Sequence, residues 1–388
     1  MPKRGVTRPR ILLVCHLPPP VHGASIMSNV VVNSARVANL FDCTVIPIRM
    51  TEELGGVRKF SYGKIWSSLK LWLNVALGIV NTKPHAVYLT VSIHSFAMVR
   101  DYVTVLICKL FCRRRILHLH MKGLRDNYCR SGWYRVLCRS IFRNADVIHL
   151  SSMLYEDVAC VVPPQRFHAV ANGIDVAGVV EGTASDERET NEHVPVILFL
   201  SNLMEEKGPL DLLEASERLA KDGVAHTVVF VGPPVGEAVM EALTRAQQAD
   251  GKRVAVLGPR YGSAKDSVLA EADIFAFPTH DDAQPLVVME AMGHRLAIIA
   301  SSEGSIPEML CDGAGLIFAP CDVAQLTRHL RLLIEDRELR SQLGQLARER
   351  YLQTFTCDAF EARFVEALVT IMSGTRIDEK ENAASSSV

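Results

Sequence analysis

Two series of short apolar segments, each alternating with longer amphipathic segments, run along this chain and are separated by the polar, acidic residues 181–193. Apolar segments of about four to eight residues are typical of buried strands, and the amphipathic segments between them predict helices. Strands that alternate with helices form a parallel sheet covered on both faces. The predicted strands are 10–16, 43–49, 86–92, 114–120, 146–152, 196–202, 226–232, 253–258, 273–279 and 296–301.

This pattern predicts an α/β protein with two Rossmann-like, doubly wound domains. The first is residues 1–180, residues 181–193 form a linker, and the second domain is residues 194–355. We expect residues 356–374 to form a helix that packs back toward the first domain, and residues 375–388 to form a disordered tail. Two such sheets in one chain normally face each other across a cleft, with ligands at the carboxyl ends of the strands.

The charge of the chain is divided unequally between its two halves. Residues 1–175 contain 23 lysines and arginines against 9 acidic residues, whereas the remainder contains 19 against 34. Ten of the basic residues lie between Lys109 and Arg143. Such a surface attracts anions, for example phospholipid headgroups or a pyrophosphate-linked lipid, although a solvated basic face without a partner has the same composition. We expect no nucleic-acid partner, because no nucleic-acid-binding module is recognisable.

Hydropathy and cysteine spacing indicate a cytoplasmic protein. The longest apolar region, residues 65–80, is interrupted by Lys70 and is shorter than the roughly 20 residues that span a bilayer. The apolar segment near the start is too short for a secretory signal. The ten cysteines are scattered, and the close pair Cys108 and Cys112 has no second pair at metal-ligand spacing, so we expect reduced thiols and no metal site.

A lysine and two glycines follow predicted strands of the second domain. Lys207 and Gly208 precede a helix that begins near Pro209. A cation there opposes the helix dipole unless an anion binds, so Lys207 indicates a phosphate site, or else a lysine that points into water. Gly232 ends the next strand, where a backbone can approach a ligand closely, although this is a weak signal alone.

The segment THDDAQPLVVMEAMGH, residues 279–294, places a carboxylate among apolar residues of a short helix that Pro285 opens. Burying Glu290 costs several kcal/mol unless a group binds it. Asp282 lies at the start of the same segment, and the two carboxylates could hold two sets of hydroxyls on one ligand. Alternatively, Glu290 accepts hydrogen bonds from a neighbouring backbone, or Asp281 and Asp282 bind a metal.

The ordered motifs SNL…EKG, VGP, ADIFAFPT and EAM, the last preceded by an acidic residue, resemble the donor domain of glycosyltransferase family 4, which has the GT-B fold. PPPVHGAS and ANGID resemble its N-terminal, acceptor-binding domain. The resemblance implies that Glu290 binds the ribose of a sugar nucleotide, that Asp282 contacts the transferred sugar, and that Lys207 neutralises the departing diphosphate. His120 would lie near the reacting carbon and the acceptor, and His118 points the same way.

Further donor-binding positions follow from the same resemblance, and some depart from the family pattern. Gly23 is retained in the phosphate loop, but Ala24 replaces a second glycine. Asn202 replaces the usual arginine, so Arg260 is a candidate for the missing charge. Asp282 replaces the usual glutamate and has a shorter reach. The remaining donor-binding candidates are Gly232, Pro285 and Leu286.

The resemblance implies a retaining glycosyltransferase that moves a sugar from a nucleotide-diphosphate sugar to an acceptor hydroxyl without a metal cofactor. The basic first half and the amphipathic segment 59–81, with Trp66 and Trp72, favour a glycan or lipid-linked acceptor at the inner, anionic membrane surface. This suggests bacterial surface polysaccharide synthesis. Two alternatives remain open: a sugar-nucleotide epimerase on the same fold, and a non-catalytic sugar-nucleotide-binding relative.

Overall fold

The computed structural model describes residues 8–48, 62–93, 95–112, 114–176 and 193–385. Residues 181–192 of the expected linker, residues 59–61 of the expected helix and the last three residues lie outside the described part. Contacts between Cα atoms divide the chain into two units. The first unit comprises Met1–Asn172 with Cys357–Val388, and the second comprises Gly173–Thr356.

The first unit contains a six-stranded parallel sheet in the order β2-β1-β3-β4-β5-β6. Its strands are β1 (Arg10–His16), β2 (Asp42–Ile48), β3 (Ala86–Val91), β4 (Arg114–Leu119), β5 (Asp146–His149) and β6 (Phe167–Ala169). The helices of this part are α1 (Gly23–Asn33), α2 (Ala35–Leu40), α3 (Tyr62–Thr82), α4 (Ser95–Phe111), α5 (Leu124–Arg130), α6 (Gly132–Phe142) and α7 (Tyr155–Val158). Strands β1, β3 and β4 are buried along nearly their whole length, as expected for a sheet covered on both faces.

The second unit contains another six-stranded parallel sheet, in the order β12-β11-β10-β7-β8-β9. Its strands are β7 (Val196–Leu200), β8 (Thr227–Val231), β9 (Val254–Gly258), β10 (Ile274–Phe277), β11 (Ala297–Ser301) and β12 (Leu316–Phe318). Its helices are α8 (Pro209–Lys221), α9 (Glu237–Ala249), α10 (Ser263–Glu271), α11 (Leu286–Gly293), α12 (Ile306–Met309), α13 (Val323–Glu335) and α14 (Arg337–Arg350). This strand order is that of dinucleotide-binding Rossmann sheets.

The last helix, α15 (Cys357–Ser385), belongs to the first unit. Phe360, Phe364 and Leu368 recur at helical spacing and are completely buried. The ring of Phe364 stacks on His118, with 6.2 Å between centroids. The helix extends past residue 374, where the sequence predicts a tail to begin.

Helix α3 exposes one apolar face. The side chains of this face, which we call the α3 stripe, are Trp66, Leu69, Leu73, Leu77 and Val80. Trp72 is not part of it, contrary to the sequence-based grouping with Trp66, because its indole is half-buried and donates a hydrogen bond to the carbonyl of Arg100. Within the described part of the chain, each helix is too short or too polar to cross a bilayer.

The predicted α/β class with two doubly wound sheets is confirmed, but several short or atypical elements were not predicted, among them two strands and two helices. Strands β6 and β12 have three residues each, which is less than two full periods of alternation. Helices α5 and α6 lie in the stretch that the sequence marks only as basic. They nevertheless bury Leu124, Tyr134 and Cys138 in the core of the first unit.

Candidate donor site

The second sheet reverses its strand order between β7 and β10. In open α/β sheets, ligands bind in the crevice at the carboxyl ends of strands at such a point. The loop after β7 covers residues 201–208, and the loop after β10 covers residues 278–285. The predicted residues Asn202, Lys207, Asp282 and Pro285 all lie in these two loops.

Lys207 and Asp282 form an ion pair between the two loops. Lys207 Nζ lies 2.9 Å from Asp282 Oδ2 and donates a second hydrogen bond, of 2.6 Å, to the carbonyl of Asp281. Both side chains of the pair are about one-fifth exposed, so a ligand can reach them. The sequence predicted both residues as ligands of one donor molecule. It did not predict that each is the other's partner.

The backbone holds Lys207 close to the loop after β10. The amide of His280 donates to the carbonyl of Glu206 over 2.8 Å. Gly208 has a positive φ of 74°, and a Cβ atom there would lie 1.9 Å from the carbonyl oxygen of Pro278. Only glycine permits this approach, because a side chain would force the two loops apart.

A second set of contacts fixes Asp282 from the opposite side. The amide and the hydroxyl of Ser305 both donate to the carbonyl of Ala283 over 2.9 Å. Gly304 has a positive φ of 52°, and a Cβ atom there would lie 2.2 Å from the carbonyl oxygen of Asp282. The loop that carries Asp282 is therefore held between two neighbouring segments.

Glu290 lies on α11 and pairs with a lysine of α10. Lys265 Nζ is 2.6 Å from Glu290 Oε1, and the glutamate side chain is 17% exposed. Its second oxygen, Oε2, is buried and has no hydrogen-bond partner among the described residues. The carboxylate is thus bound by a side chain and not by the neighbouring backbone, and one oxygen is left to accept a hydrogen bond from a ligand.

Burial raises the pKa of Glu290, and Lys265 opposes this by stabilising the ionised form. Lys265 lies in the first turn of α10, where the helix dipole disfavours a cation. Like Lys207, Lys265 is a cation close to a helix N-terminus and is therefore unfavourable there without an anion. Lys265 is therefore the main residue of this site that sequence reasoning missed.

The other predicted donor-binding residues have different surroundings. Gly232 directly follows β8 and has a φ of 153°, and a Cβ atom there would lie 1.7 Å from the carbonyl oxygen of Ser201. The side chain of Asn202 is exposed. Arg260 is also exposed and follows β9, the outer strand of the sheet, where it hydrogen-bonds to the carbonyl of Pro259. Leu286 is the first residue of α11, and Pro285 is its N-cap.

In the first unit, His118 and His120 lie at the end of β4, with ring centroids 4.0 Å apart. His118 Nδ1 is 2.7 Å from the hydroxyl of Tyr88, which makes His118 part of the core. Both ring nitrogens of His120 are buried and have no hydrogen-bond partner in the described part of the chain. Burial lowers the pKa of His120 to about 3, so its ring is neutral at physiological pH.

Gly23 is the first residue of α1. His22 caps the helix, because its Nδ1 accepts a hydrogen bond of 3.3 Å from the amide of Ser25, and the hydroxyl of Ser25 accepts one from the amide of His22. A buried ion pair that the sequence did not reveal, Arg100 with Asp101, also lies near the end of β1.

Solved structures with a similar fold cover nearly the whole chain. Sucrose-phosphate synthase from Thermosynechococcus elongatus superposes with a TM-score of 0.74 and 16% sequence identity over 95% of this chain and 100% of that chain. Anabaena Alr3699/HepE in complex with UDP-glucose gives a TM-score of 0.68 and 18% identity over 93% and 99%. The chain has the GT-B fold.

Within this GT-B chain, residues 181–350 match the family model described as "Glycosyl transferases group 1". The ion pairs Lys207–Asp282 and Glu290–Lys265 both lie inside the matched region. A curated relative, D-inositol 3-phosphate glycosyltransferase of Corynebacterium efficiens, is 29% identical over 232 residues, which is 55% of this chain. The chain covers 54% of that relative's length, a little over half.

Proposed function

We propose that this protein is a retaining glycosyltransferase of the family 4 type, which transfers a sugar from a nucleotide-diphosphate sugar to an acceptor hydroxyl. The observation that carries the proposal is the pair of acid–base contacts, Lys207–Asp282 and Lys265–Glu290, at the switch point of the second sheet. The match to group 1 glycosyl transferases and the structural similarity to a protein solved with UDP-glucose support it.

Glu290 and Lys265 together offer what a ribose requires. The free Oε2 atom of Glu290 accepts a hydrogen bond from one ribose hydroxyl, and Lys265 donates to a ribose oxygen from beside it. A buried carboxylate oxygen without a partner destabilises the folded protein until a hydrogen-bond donor binds it. Ribose binding therefore removes an existing cost as well as adding contacts.

Lys207 stabilises the diphosphate that leaves when the sugar is transferred. It lies next to the first turn of α8, whose N-terminal amides have no side-chain cap, so the cation and the amides face the same negative charge. Donor binding transfers Lys207 from Asp282 to the diphosphate, and Asp282 then accepts hydrogen bonds from the sugar. Asn202, Gly232 and Arg260 complete the residues that bind the sugar nucleotide, and no metal is required at the diphosphate.

His120 serves the acceptor side of the reaction. A buried imidazole with two unpartnered nitrogens is an incomplete polar site, which a sugar or acceptor hydroxyl can complete. Because burial keeps the ring neutral, His120 can accept or donate a hydrogen bond but supplies no charge. We assign no protein nucleophile, and retention would follow from attack on the same face that the leaving phosphate vacates.

The acceptor is a glycan or a lipid-linked intermediate at the inner membrane surface, in bacterial surface polysaccharide synthesis. Two surfaces of the first unit support this. The α3 stripe offers apolar side chains, led by Trp66 at 72% exposure. Helix α6 combines an exposed Trp133 with the exposed Arg135 and Arg139, and α4 packs against both α3 and α6. Apolar and cationic side chains on one side of a domain are typical of binding to anionic bilayers.

The donor part of the proposal is tested by thermal shift with UDP-, GDP- and ADP-sugars. One nucleotide sugar well above its dissociation constant should stabilise the protein by a few kcal/mol. Lys207→Ala should lower kcat about 100- to 1000-fold with that donor, whereas Lys221→Ala, at an exposed position of the same unit, should not. Absence of a shift with every nucleotide sugar would contradict the proposal, and epimerisation of the donor without acceptor would support the epimerase instead. Donor binding without turnover against any acceptor extract would support the non-catalytic relative.

The membrane part is tested separately by vesicle sedimentation at low salt. The protein should bind vesicles that contain an anionic phospholipid and bind neutral phosphatidylcholine vesicles much less. Changing Trp66, Leu73 and Leu77 to serine should reduce binding at least tenfold, because each exposed apolar side chain contributes to insertion. The control is Val235→Ser, an exposed apolar position in the second unit. Equal binding by the wild type to both kinds of vesicle, or none, would exclude this surface.

A further inference from the structure

Three side chains with metal-binding atoms converge in the second unit, and one of them belongs to the loop after β10. Asp211 lies in the first turn of α8, His280 follows β10, and Cys321 lies in the turn before α13. A carboxylate oxygen of Asp211, a ring nitrogen of His280 and Sγ of Cys321 all lie within 4.8 Å of one another. His280 Nε2 is 2.7 Å from Asp211 Oδ2.

These three metal ligands, one nitrogen, one oxygen and one sulfur atom, suit zinc. Zinc binds imidazole, carboxylate and thiolate at about 2.0 to 2.3 Å, in tetrahedral geometry that brings its ligand atoms to within about 4 Å of each other. The thiolate disfavours magnesium and calcium, which prefer oxygen ligands. A bound ion would draw these three ligand atoms closer together than the 4.8 Å over which they lie.

The turn that carries Cys321 is fixed where α13 begins. Cys321 has a φ of 65°, in the left-handed region that a residue with a side chain rarely adopts. Asp322, the next residue, caps α13 by accepting a hydrogen bond of 2.8 Å from the amide of Gln325. The fold of this turn therefore holds the thiol of Cys321 beside the pair formed by His280 and Asp211.

We propose that Asp211, His280 and Cys321 bind one zinc ion, with water as the fourth ligand. The ion joins the first turn of α8, the loop after β10 and the turn before α13. Lys207 lies two residues before the start of α8, and Asp281 follows His280, so the ion stabilises the two loops that form the donor site. It contacts neither Lys207 nor Asp282, and its role is structural.

The proposal is tested on the full-length chain without any donor, so its outcome is independent of the proposed function. Metal-free, reduced protein is titrated with Co²⁺ as a spectroscopic probe. We expect saturation at one equivalent, with a thiolate-to-cobalt charge-transfer band and the intense visible absorption of tetrahedral cobalt. Both signals should disappear in Cys321→Ser and persist in Cys311→Ser, a cysteine of the same unit outside the cluster.

Zinc binding is then measured directly. Saturating zinc should raise the melting temperature by about 5 °C or more in the wild type and in Cys311→Ser, and by much less in Cys321→Ser. His280→Ala and Asp211→Asn should each weaken zinc binding at least tenfold, and circular dichroism checks that every variant is folded. Zinc binding that is unchanged in Cys321→Ser, or that is absent from the wild type, overturns the proposal.

Discussion

Removing Lys265 should destabilise the protein in a way that depends on pH. The change is Lys265→Met, which keeps most of the side-chain volume and removes the cation that faces Glu290 Oε1 at 2.6 Å. Glu290 would then be a buried carboxylate whose second oxygen also lacks a partner among the described residues. The matched control is Lys252→Met, at an exposed position of the same unit.

The magnitude follows from distance and burial. At 2.6 Å, Coulomb's law with an effective dielectric constant of about 20 gives a gross attraction of about 6 kcal/mol, most of which only offsets desolvation. Deleting one partner of a fully buried pair costs about 3 to 5 kcal/mol. Because Lys265 is 28% exposed and Glu290 17%, we expect a loss of about 2 to 3 kcal/mol in the free energy of unfolding at pH 7. Lys252→Met should cost less than about 0.5 kcal/mol.

The assay is urea unfolding between pH 4 and pH 8. Burial raises the pKa of Glu290 above its value of 4.5 in the unfolded chain, so the folded state holds the proton more strongly. The free energy of unfolding contributed by this group is therefore greatest below pH 4.5 and falls as the pH rises through the folded pKa. Without Lys265 this fall becomes larger, so the gap between Lys265→Met and the wild type should widen with pH. In the double variant with Glu290→Gln, the widening should disappear.

Two results would refute this reasoning. One is a Lys265→Met protein whose free energy of unfolding at pH 7 lies within about 0.5 kcal/mol of the wild type. The other is a destabilisation that is equal at pH 4 and pH 8, since that would show a loss of packing and not an uncompensated carboxylate.

Three further predictions concern other parts of the molecule. Asp282→Asn should tighten UDP binding, measured by calorimetry, about 5- to 30-fold, because the Asp282 carboxylate no longer competes with the diphosphate for Lys207 by about 1 to 2 kcal/mol. Unchanged affinity would show that the Lys207–Asp282 ion pair opens without cost. Gly208→Ala should lower the free energy of unfolding, measured by urea titration, by about 3 kcal/mol or more. The control Gly223→Ala should cost about 1 kcal/mol, because Gly223 has a similar φ but open space around it. Burial lowers the pKa of His149 from 6.5 to about 3, so neutral His149 contributes fully to the free energy of unfolding above pH 6.5. This contribution is lost toward pH 3 at about 1.4 kcal/mol per pH unit. His149→Gln should remove that slope in unfolding experiments.

The architecture was largely predictable because both sheets are parallel and doubly covered. A strand such as Ile11–Cys15 must then be apolar on both faces, which makes it visible as a continuous run. A continuous apolar run does not mark the elements at sheet edges or in basic stretches of the sequence. Strand β6 is too short for a pattern, and the arginines of α6 concealed a helix whose buried face is only Tyr134, Cys138, Ile141 and Phe142.

The candidate site was predictable as a set of residues and not as a set of contacts. Lys207 and Asp282 could be identified because both follow strands, and the carboxyl ends of parallel strands meet at one edge. Their pairing depends on Gly208 and Gly304, which allow carbonyl groups to approach at distances that no other residue tolerates. The partner of Glu290 was not predictable from THDDAQPLVVMEAMGH, because it comes from α10, 25 residues earlier in the chain.

Lys207 lies beside a helix N-terminus, where a cation needs an anion. The structure supplies that anion from within the protein, as Asp282, and supplies Glu290 to Lys265 in the same way. Before a donor binds, Lys207 and Lys265 are therefore each compensated by a carboxylate that the bound donor would also use. If the protein binds nucleotide sugars as proposed, binding is an exchange of ion pairs and not a simple gain of them. A diphosphate without its sugar would take Lys207 from Asp282 and leave that carboxylate unpaired, whereas an intact donor offers hydroxyls to it. The arrangement therefore favours the intact sugar nucleotide over its diphosphate product.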